Sequence, residues 1–479
     1  MSATSHSRLA PPLSRSALAQ AGGARHETAP IRIAHIGLGA FHRAHQAWFT
    51  DNAQDAGDWG IAAFTGRNRE AALQLAPQDG LFTLIERAAE GDSAAVIESI
   101  VEAVDGADLE RFLDLLALPS TALVTLTVTE AGYRLDPSGQ PNAGDSLLAA
   151  DLRSIEVATR RANLLEEHTD RPQSALGRLL LALEARRRGD GGPIAIVPCD
   201  NVPNNGEFVR TGLRAMAERS DTGLAGWIDT QVSFVSTSVD RITPKTTPGD
   251  CDTAAALAGW SDRAPVVAEP FKDWVLSGEF PAGRPAWESA GARFVAAIEP
   301  FERRKLWLLN GAHSLLAYSG LRRGHDTVAA ALADPPCLRW VNEYWDAAER
   351  HLPAAELDLP AYRGALLQRF ANPRIEYQLR QIATDNVAKL RVRIAPVVLA
   401  ERDAGYDARA AIRALGTWVA LVLGGANLVD TEAAAVDEAR HSPRQQAISE
   451  LVELIEPRLL DDPVIITALH EFVSENRSE

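Results

Sequence analysis

Ile31-Arg32-Ile33-Ala34-His35-Ile36-Gly37-Leu38-Gly39-Ala40-Phe41-His42-Arg43-Ala44-His45-Gln46 decides the fold. The isoleucine-rich start reads as a strand, Gly37-Leu38-Gly39 as a tight turn, and Ala40 to Ala53 as a helix. Two glycines in such a turn let the backbone approach a pyrophosphate at a helix N-terminus, where unpaired N–H groups favour an anion. The pattern is half of a G-x-G-x-x-G fingerprint, because His42 holds the third glycine position.

Working outward, Trp59 to Thr65, Thr121 to Thr129, Ile194 to Pro198 and Val232 to Ser236 read as further strands with helical segments between them. That alternation predicts an α/β domain of Rossmann type with a mostly parallel sheet. Ligands of such sheets sit beyond the carboxyl ends of the strands, where this chain carries Thr129-Glu130, Asp200-Asn201 and Val239-Asp240-Arg241. Gly37, Gly39, Phe41 and Thr129 are the expected contacts of a dinucleotide. After the second strand comes Gly66-Arg67-Asn68-Arg69-Glu70. Glu70 suits the ribose hydroxyls of NAD, whereas Arg67 and Arg69 suit the 2′-phosphate of NADP; both stay open, with NAD the expectation. His35, His42 and His45 lack a carboxylate or cysteine at ligand spacing, so no metal is expected.

A chain of 479 residues, 46 % of them hydrophobic, fills two cores, so two domains are expected. The formal charge of −16 argues against nucleic acid or an anionic membrane as partner. Cys199, Cys251 and Cys337 are too scattered for a disulfide framework and point to a cytoplasmic setting, and no apolar stretch is long enough to span a bilayer. Residues 1–30, with Pro11, Pro12, Gly22, Gly23 and scattered arginines, read as a disordered tail. The domains are then expected at 31–294 and 295–479.

The second domain opens with Phe301-Glu302-Arg303-Arg304-Lys305-Leu306-Trp307-Leu308-Leu309-Asn310-Gly311-Ala312-His313. Only four of the 48 basic residues are lysines (Lys245, Lys272, Lys305 and Lys389), so a lysine here has a reason to be one. An amine can give up its proton in a protein; a guanidinium cannot. Read as an α-helix, the segment turns Lys305, Asn310 and His313 towards one wall. Those groups are the parts needed to take a proton from an alcohol: a base, an amide to hold the oxygen, an imidazole to orient it. The leucines and Trp307 make the segment apolar nearly all round, so it should be buried.

Beyond it the pattern is helical, with Thr327 to Ala333, Trp340 to His351, Ala361 to Phe370, Ala408 to Gly424 and Ala447 to Leu460 as candidates. Pro373 should stop the helix that ends near Phe370. Trp340, Trp345 and Trp418 read as core, and Arg374, Arg380, Arg391 and Arg393 around Lys389 either as a patch for an anionic substrate or as solvated surface pairs.

Gly37 to Gln46, Leu126 to Tyr133, Cys199-Asp200-Asn201 with Asn205-Gly206, Val239 to Pro244, Glu269-Pro270-Phe271 and Lys305 to His313 together resemble the mannitol dehydrogenase family, the polyol-specific long-chain dehydrogenases and reductases. The resemblance implies a Rossmann-type domain, a largely α-helical C-terminal domain and an active site between them. It implies Lys305 as general base, Asn201 and Asn310 as the amides on the reacting oxygen, His313 and Asp240 as substrate-orienting groups, and Glu302 as a proton relay. Lys389, Gln381 and Arg380 fall where the family meets its substrate. Asn386 stands where the family often has glycine, and Gln381 where mannitol-oxidising members carry arginine and sugar-acid reductases carry glutamine.

The expectation is a metal-independent NAD(P)-dependent oxidoreductase acting on a small polyol, ketose or sugar acid, with D-mannitol and D-fructose the leading pair. Alternatives are fructuronate reductase, mannitol-1-phosphate 5-dehydrogenase and, from another class, an inactive nucleotide-binding sensor. Oligomeric state is left open, a monomer included.

Overall fold

The computed structural model describes residues 10–23, 27–166 and 170–475. The chain divides into two units, Met1–Glu299 and Pro300–Glu479, a few residues beyond the change expected at residue 295.

Among its described residues the first unit has twelve strands: β1 (Ile31–Ile36), β2 (Gly60–Phe64), β3 (Phe82–Arg87), β4 (Asp92–Ile97), β5 (Ile100–Val104), β6 (Leu123–Leu126), β7 (Ile194–Pro198), β8 (Val232–Phe234), β9 (Ser236–Asp240), β10 (Val266–Ala268), β11 (Asp273–Ser277) and β12 (Arg293–Phe294). Six of them form one sheet in the order β5-β2-β1-β6-β7-β8, with every neighbouring pair parallel. This is the doubly wound order of a Rossmann sheet, whose strand order reverses between β1 and β6.

Both faces of the sheet are covered, which is why its strands are apolar at consecutive positions. Ile36, Phe64 and Leu126 pack on one side against the helices Leu109–Ala117 and Ala175–Arg188. Ile33, Ile61 and Leu123 pack on the other with Trp59, Trp274 and Trp287. Two three-stranded sheets, β10-β3-β4 and β12-β11-β9, complete the unit.

Two expectations change here. The run Val232 to Ser236 is not one strand: it breaks at Val235, so that β8 closes the parallel sheet while β9 pairs antiparallel with β11. Asp240 therefore ends a strand of the smaller sheet. The expected disordered tail does not hold for its described part either. Leu13 N–H donates to Ser261 O, Ser14 Oγ caps the helix Arg15–Gln20, and Leu13 and Leu18 are buried with Leu81. Arg15 reaches the carbonyls of Glu98 (2.7 Å) and Ile100 (2.9 Å), so a residue read as tail composition is an anchor. Residues 1–9 and 24–26 lie outside the described residues.

The second unit is helical. Val328–Leu332, Pro335–Glu349, Leu359–Phe370, Arg409–Leu423 and Arg444–Ile455 correspond to the expected helices. The second of these starts earlier than expected because Pro335 supplies a preset first-turn φ and needs no N–H partner. Asn386–Arg393, Ala395–Asp403, Ala433–Arg440 and Pro463–Glu475 are additional. Trp345 and Trp418 are fully buried, while Trp340 is half-buried beneath the Arg413 guanidinium. No described helix is long and apolar enough to cross a membrane.

Candidate active site

In the first unit the turn after β1 is shaped by its neighbours. The N–H groups of Gly37 and Leu38 both donate to Phe64 O at 2.9 Å, and Thr127 Oγ1 donates to Gly37 O at 2.8 Å. Gly37 has φ +110°, and a Cβ there would lie 2.5 Å from Thr127 O, so no other residue fits. Gly39 caps the following helix without a side-chain hydrogen bond, leaving the first-turn N–H groups for a ligand. Such an uncapped start beside an obligatory glycine fits a dinucleotide pyrophosphate.

His42, in the third glycine position, is wholly buried and stacks on His35 with ring centroids 3.3 Å apart. His35 is itself bonded to Thr125 Oγ1 (2.8 Å) and Thr127 Oγ1 (3.2 Å). Burial pushes His35 down to about 3, and burial with the neighbouring His35 holds His42 well below its usual value. Both rings are neutral packing groups that join helix to strand. His45 lies between Asp273 O (3.1 Å) and Gln46 Nε2 (3.0 Å). Among the described residues no group of three or more His, Cys, Asp or Glu converges to hold a metal.

Phe41 is half-buried and stacks on His45, Thr129 is exposed at the start of the short helix Glu130–Tyr133, and Arg67 and Glu70 are exposed beyond β2. Asn201 is exposed in the turn after β7. Composition alone did not reveal what fixes that turn. Tyr133 Oη donates to Asp200 Oδ2, while Asp200 Oδ1 accepts from Val202 N (2.9 Å) and Asn205 Nδ2 (3.3 Å). Asn205 Oδ1 in turn accepts from Thr237 N (2.8 Å). The Asn201 turn is thus tied to β9, the strand that ends in buried Asp240. Arg241, beside it, is buried and donates to Glu269 O, Ala44 O and Glu86, which fixes the end of β9.

In the second unit Glu299–Arg304 is α-helical, Lys305–Gly311 is a π-helix, and Ala312–Arg322 resumes the α-helix. The α-helical geometry expected for Lys305 to His313 is corrected by this turn. On an α-helix residues five apart point about 140° away from each other. With i→i+5 hydrogen bonds, the fifth residue on falls within one turn, so Lys305 and Asn310 come to one face. Both are half-buried, as is Glu302, and His313 is 5 % exposed between Phe370 and Tyr377.

Groups outside the helix hold the wide turn. Trp345 Nε1 donates to Leu308 O at 2.7 Å, and Arg393 Nη1 lies 3.4 Å from Asn310 O and 3.2 Å from Ser314 Oγ. Gly311 admits the ring of Tyr344, whose hydroxyl donates to Arg393 O at 3.0 Å. A Cβ at Gly311 would lie 2.2 Å from that hydroxyl oxygen.

Lys389 is half-buried, and its Nζ donates to Ile382 O and Thr384 Oγ1, each at 3.0 Å. Burial, then nearby Arg393, lowers its pKa from the ordinary value. Gln381 and Arg380 are exposed on the short helix Leu379–Ile382. Of the basic cluster expected around Lys389, Arg391 serves the carbonyls of Ile455 and Leu454, while Arg393 serves the π-turn and stays close enough to Lys389 to lower its pKa.

Residues 31–289 match the mannitol dehydrogenase Rossmann domain, and residues 297–469 match the mannitol dehydrogenase C-terminal domain. The chain is 36 % identical to D-mannonate oxidoreductase of Escherichia coli (strain K12), covering 86 % of this chain and 83 % of the relative. It is 36 % identical to mannitol 2-dehydrogenase of Cereibacter sphaeroides, covering 74 % and 72 %. Mannitol 2-dehydrogenase of Pseudomonas fluorescens, solved as a ternary complex with NAD and D-mannitol, superimposes with a TM-score of 0.78 at 30 % identity over 98 % of this chain and 97 % of that one. With both of its units matched, the chain belongs to the mannitol dehydrogenase family of oxidoreductases.

Proposed function

We propose that this chain is an NAD(P)-dependent oxidoreductase that interconverts a linear polyol and a ketose at a secondary alcohol, with D-mannitol and D-fructose as the pair. The observation that carries this is the π-turn, which turns the one amine of its segment and an amide to the same face. Lys305 takes the hydroxyl proton. Asn310 and Asn201 donate to the oxygen as negative charge develops on it, and fixed donors do so without reorganising. His313 and Asp240 orient the remaining hydroxyls, and Glu302 passes the proton from Lys305 to water. The turn from Gly37 to Phe41 holds the dinucleotide, with Thr129 on the neighbouring loop. The nicotinamide, when bound, takes the hydride from the carbinol carbon.

A second reading, reduction of a keto-uronate such as fructuronate, is favoured by the longer match to D-mannonate oxidoreductase and by glutamine at position 381. In that reading Lys389, Gln381 and Arg380 meet the substrate's acid end. An initial-rate panel with fructose, fructuronate, tagaturonate, xylulose and fructose 6-phosphate separates the two. Fructose as the fastest substrate supports the first reading, and fructuronate the second. Lys305→Ala is expected to lower turnover by about three orders of magnitude or more while dinucleotide binding persists. An unchanged rate removes Lys305 as the base.

A further inference from the structure

The helix Asn386–Arg393 carries Lys389 one turn from its start and ends on Arg393. Its start lacks the usual local cap. Asp385, the residue before it, sits at φ +48° in the left-handed region, its side chain does not bond to the helix N–H groups, and the first turn holds no acid. Asp385 Oδ1 instead accepts from Thr431 N at 3.2 Å. The capping carboxylate comes from Asp430, 44 residues beyond Asn386, whose Oδ2 accepts from Asn386 N at 2.6 Å and from Val387 N at 3.1 Å. Asp385 N donates to Val429 O at 2.9 Å, and Asp430 Oδ1 accepts from Glu432 N at 3.1 Å. Each aspartate thus holds the other's stretch of backbone, so the helix start is locked to the loop at residues 424–432.

What this lock controls is Lys389. Its side chain folds back past the helix start, with Nζ on Ile382 O and Thr384 Oγ1, and the Thr384 hydroxyl in turn donates to Gln381 O at 3.1 Å. An ammonium has three N–H groups, and among the described residues two of them rest on these acceptors, which leaves the third for a ligand. A cation at the N-terminal end of a helix meets the positive pole of the helix dipole, and a carboxylate at the same end offsets that repulsion. The charges around Lys389 follow this logic: burial, then Arg393, lowers its pKa, and Asp385 and Asp430 are the groups that raise it. Arg393, one turn further along the same helix, bonds to the π-turn at Asn310 O and Ser314 Oγ. A shift at the helix start therefore moves both basic side chains together.

We propose that Asp430 is a positioning residue for the reaction: it seats the helix so that Lys389, beside Gln381, is held towards the end of the substrate away from the reacting carbon. The proposal rests on the reading of Lys389 and Gln381 as substrate-facing and adds the residue that places them. The chain has four lysines, so lysine labelled with ¹³C at Cε gives few signals to follow through pH, and Lys389→Arg identifies the one from position 389. Asp430→Asn keeps the shape and an acceptor oxygen but removes the charge; Asp430→Ala removes both. In Asp430→Asn the Lys389 signal should titrate at lower pH than in the parent, because a group that favours the ammonium is gone. The alkaline limb of kcat/KM for fructose or fructuronate, whichever is turned over faster, should move down with it. KM for that substrate should rise about tenfold in Asp430→Ala and less in Asp430→Asn, with kcat changed by less than about threefold. Should Asp430→Ala fail to fold, Asp430→Asn decides by its titration and its KM. An Asp430→Ala protein that is less stable in urea yet keeps the parent's KM and Lys389 titration has lost a cap and nothing more, which overturns the proposal, as does a Lys389 titration unmoved in Asp430→Asn. A titration that moves in Asp430→Asn while KM is unchanged both there and in Lys389→Met supports the seating of the helix and sinks the substrate-facing reading of Lys389 instead.

Discussion

Gly311→Ala sets two effects of opposite sign against each other. Judged by intrinsic helix propensity, alanine in a helix interior is about 1 kcal/mol better than glycine, so the variant should be more stable. The structure reverses the sign. An ideal Cβ at position 311 lies 2.2 Å from Tyr344 Oη, 2.8 Å from Cζ and 2.9 Å from Cε1. Tyr344 is fully buried, and its hydroxyl is committed to Arg393 O at 3.0 Å, so the ring has nowhere to swing. Overpacking of this kind costs about 1–3 kcal/mol, and oxygen-to-carbon overlap this deep belongs at the upper end. Net destabilisation of about 1–2 kcal/mol is therefore expected. Relief by movement of the helix opens the π-turn and parts Lys305 from Asn310, and a displacement of about 1 Å at reacting groups costs on the order of a hundredfold in rate. Urea denaturation and steady-state kcat are the two measurements. Tyr344→Phe in the same chain removes the worst overlap but leaves the ring carbons close, so it should recover part of both losses. A Gly311→Ala protein as stable as the parent and equally active would refute the view that the Tyr344 ring shapes this turn.

Gly37→Ala should cost at least about 2 kcal/mol, because φ +110° is strained for alanine and its Cβ meets backbone oxygen that cannot move away; NADH or NADPH fluorescence titration should show binding weakened about tenfold or more. Tyr133→Phe removes the donor to Asp200 and slackens the turn carrying Asn201. A fall in kcat of about tenfold with little change in dinucleotide affinity is expected, consistent with loss of a hydrogen bond to a charged group. Stability of the first unit should depend on pH through His35 and His42. The unfolded chain takes up a proton near pH 6.5 that folded His35 refuses until about 3, so the folded state binds fewer protons in that window. Stability is then full above pH 6.5 and falls as pH drops, by up to about 1.4 kcal/mol per pH unit for each histidine. Urea midpoints measured between pH 7 and 5 that do not decline, or a His35→Asn variant with the same slope as the parent, would contradict the buried neutral pair.

The sheet was legible because its signals are local. A glycine turn after an isoleucine-rich run, and apolar runs spaced by helical segments, specify β1, β2, β6 and β7 without knowledge of their partners. The strands β5, β9, β10, β11 and β12 were not read, since each depends on pairing with a segment elsewhere in the sequence, as Ile61 with Ile100, Val266 with Leu84 and Trp274 with Val239; the local hairpin of β3 and β4, from Phe82 opposite Ile97 to Arg87 opposite Asp92, was not read either. Tail composition misled for a similar reason. Arg15 looks like a mobile cation until the carbonyls of Glu98 and Ile100 are brought to it.

Sequence by itself determined the chemical inventory: a lysine where arginine is the rule, amides and an imidazole beside it, and a glycine turn open to a dinucleotide. Tertiary structure alone decided how the inventory is arranged. A segment apolar on every side, as Leu306 to Leu309 is, carries no period from which a π-turn can be told from an α-turn. That choice was made by Trp345, Tyr344 and Arg393, which reach the turn from other helices and take up or crowd the groups that a wider turn exposes. Hydrogen-bond partners that lie tens of residues away act only after the chain has folded, which is why the facing of Lys305 and Asn310 is a property of the packed unit and not of the thirteen letters that contain them.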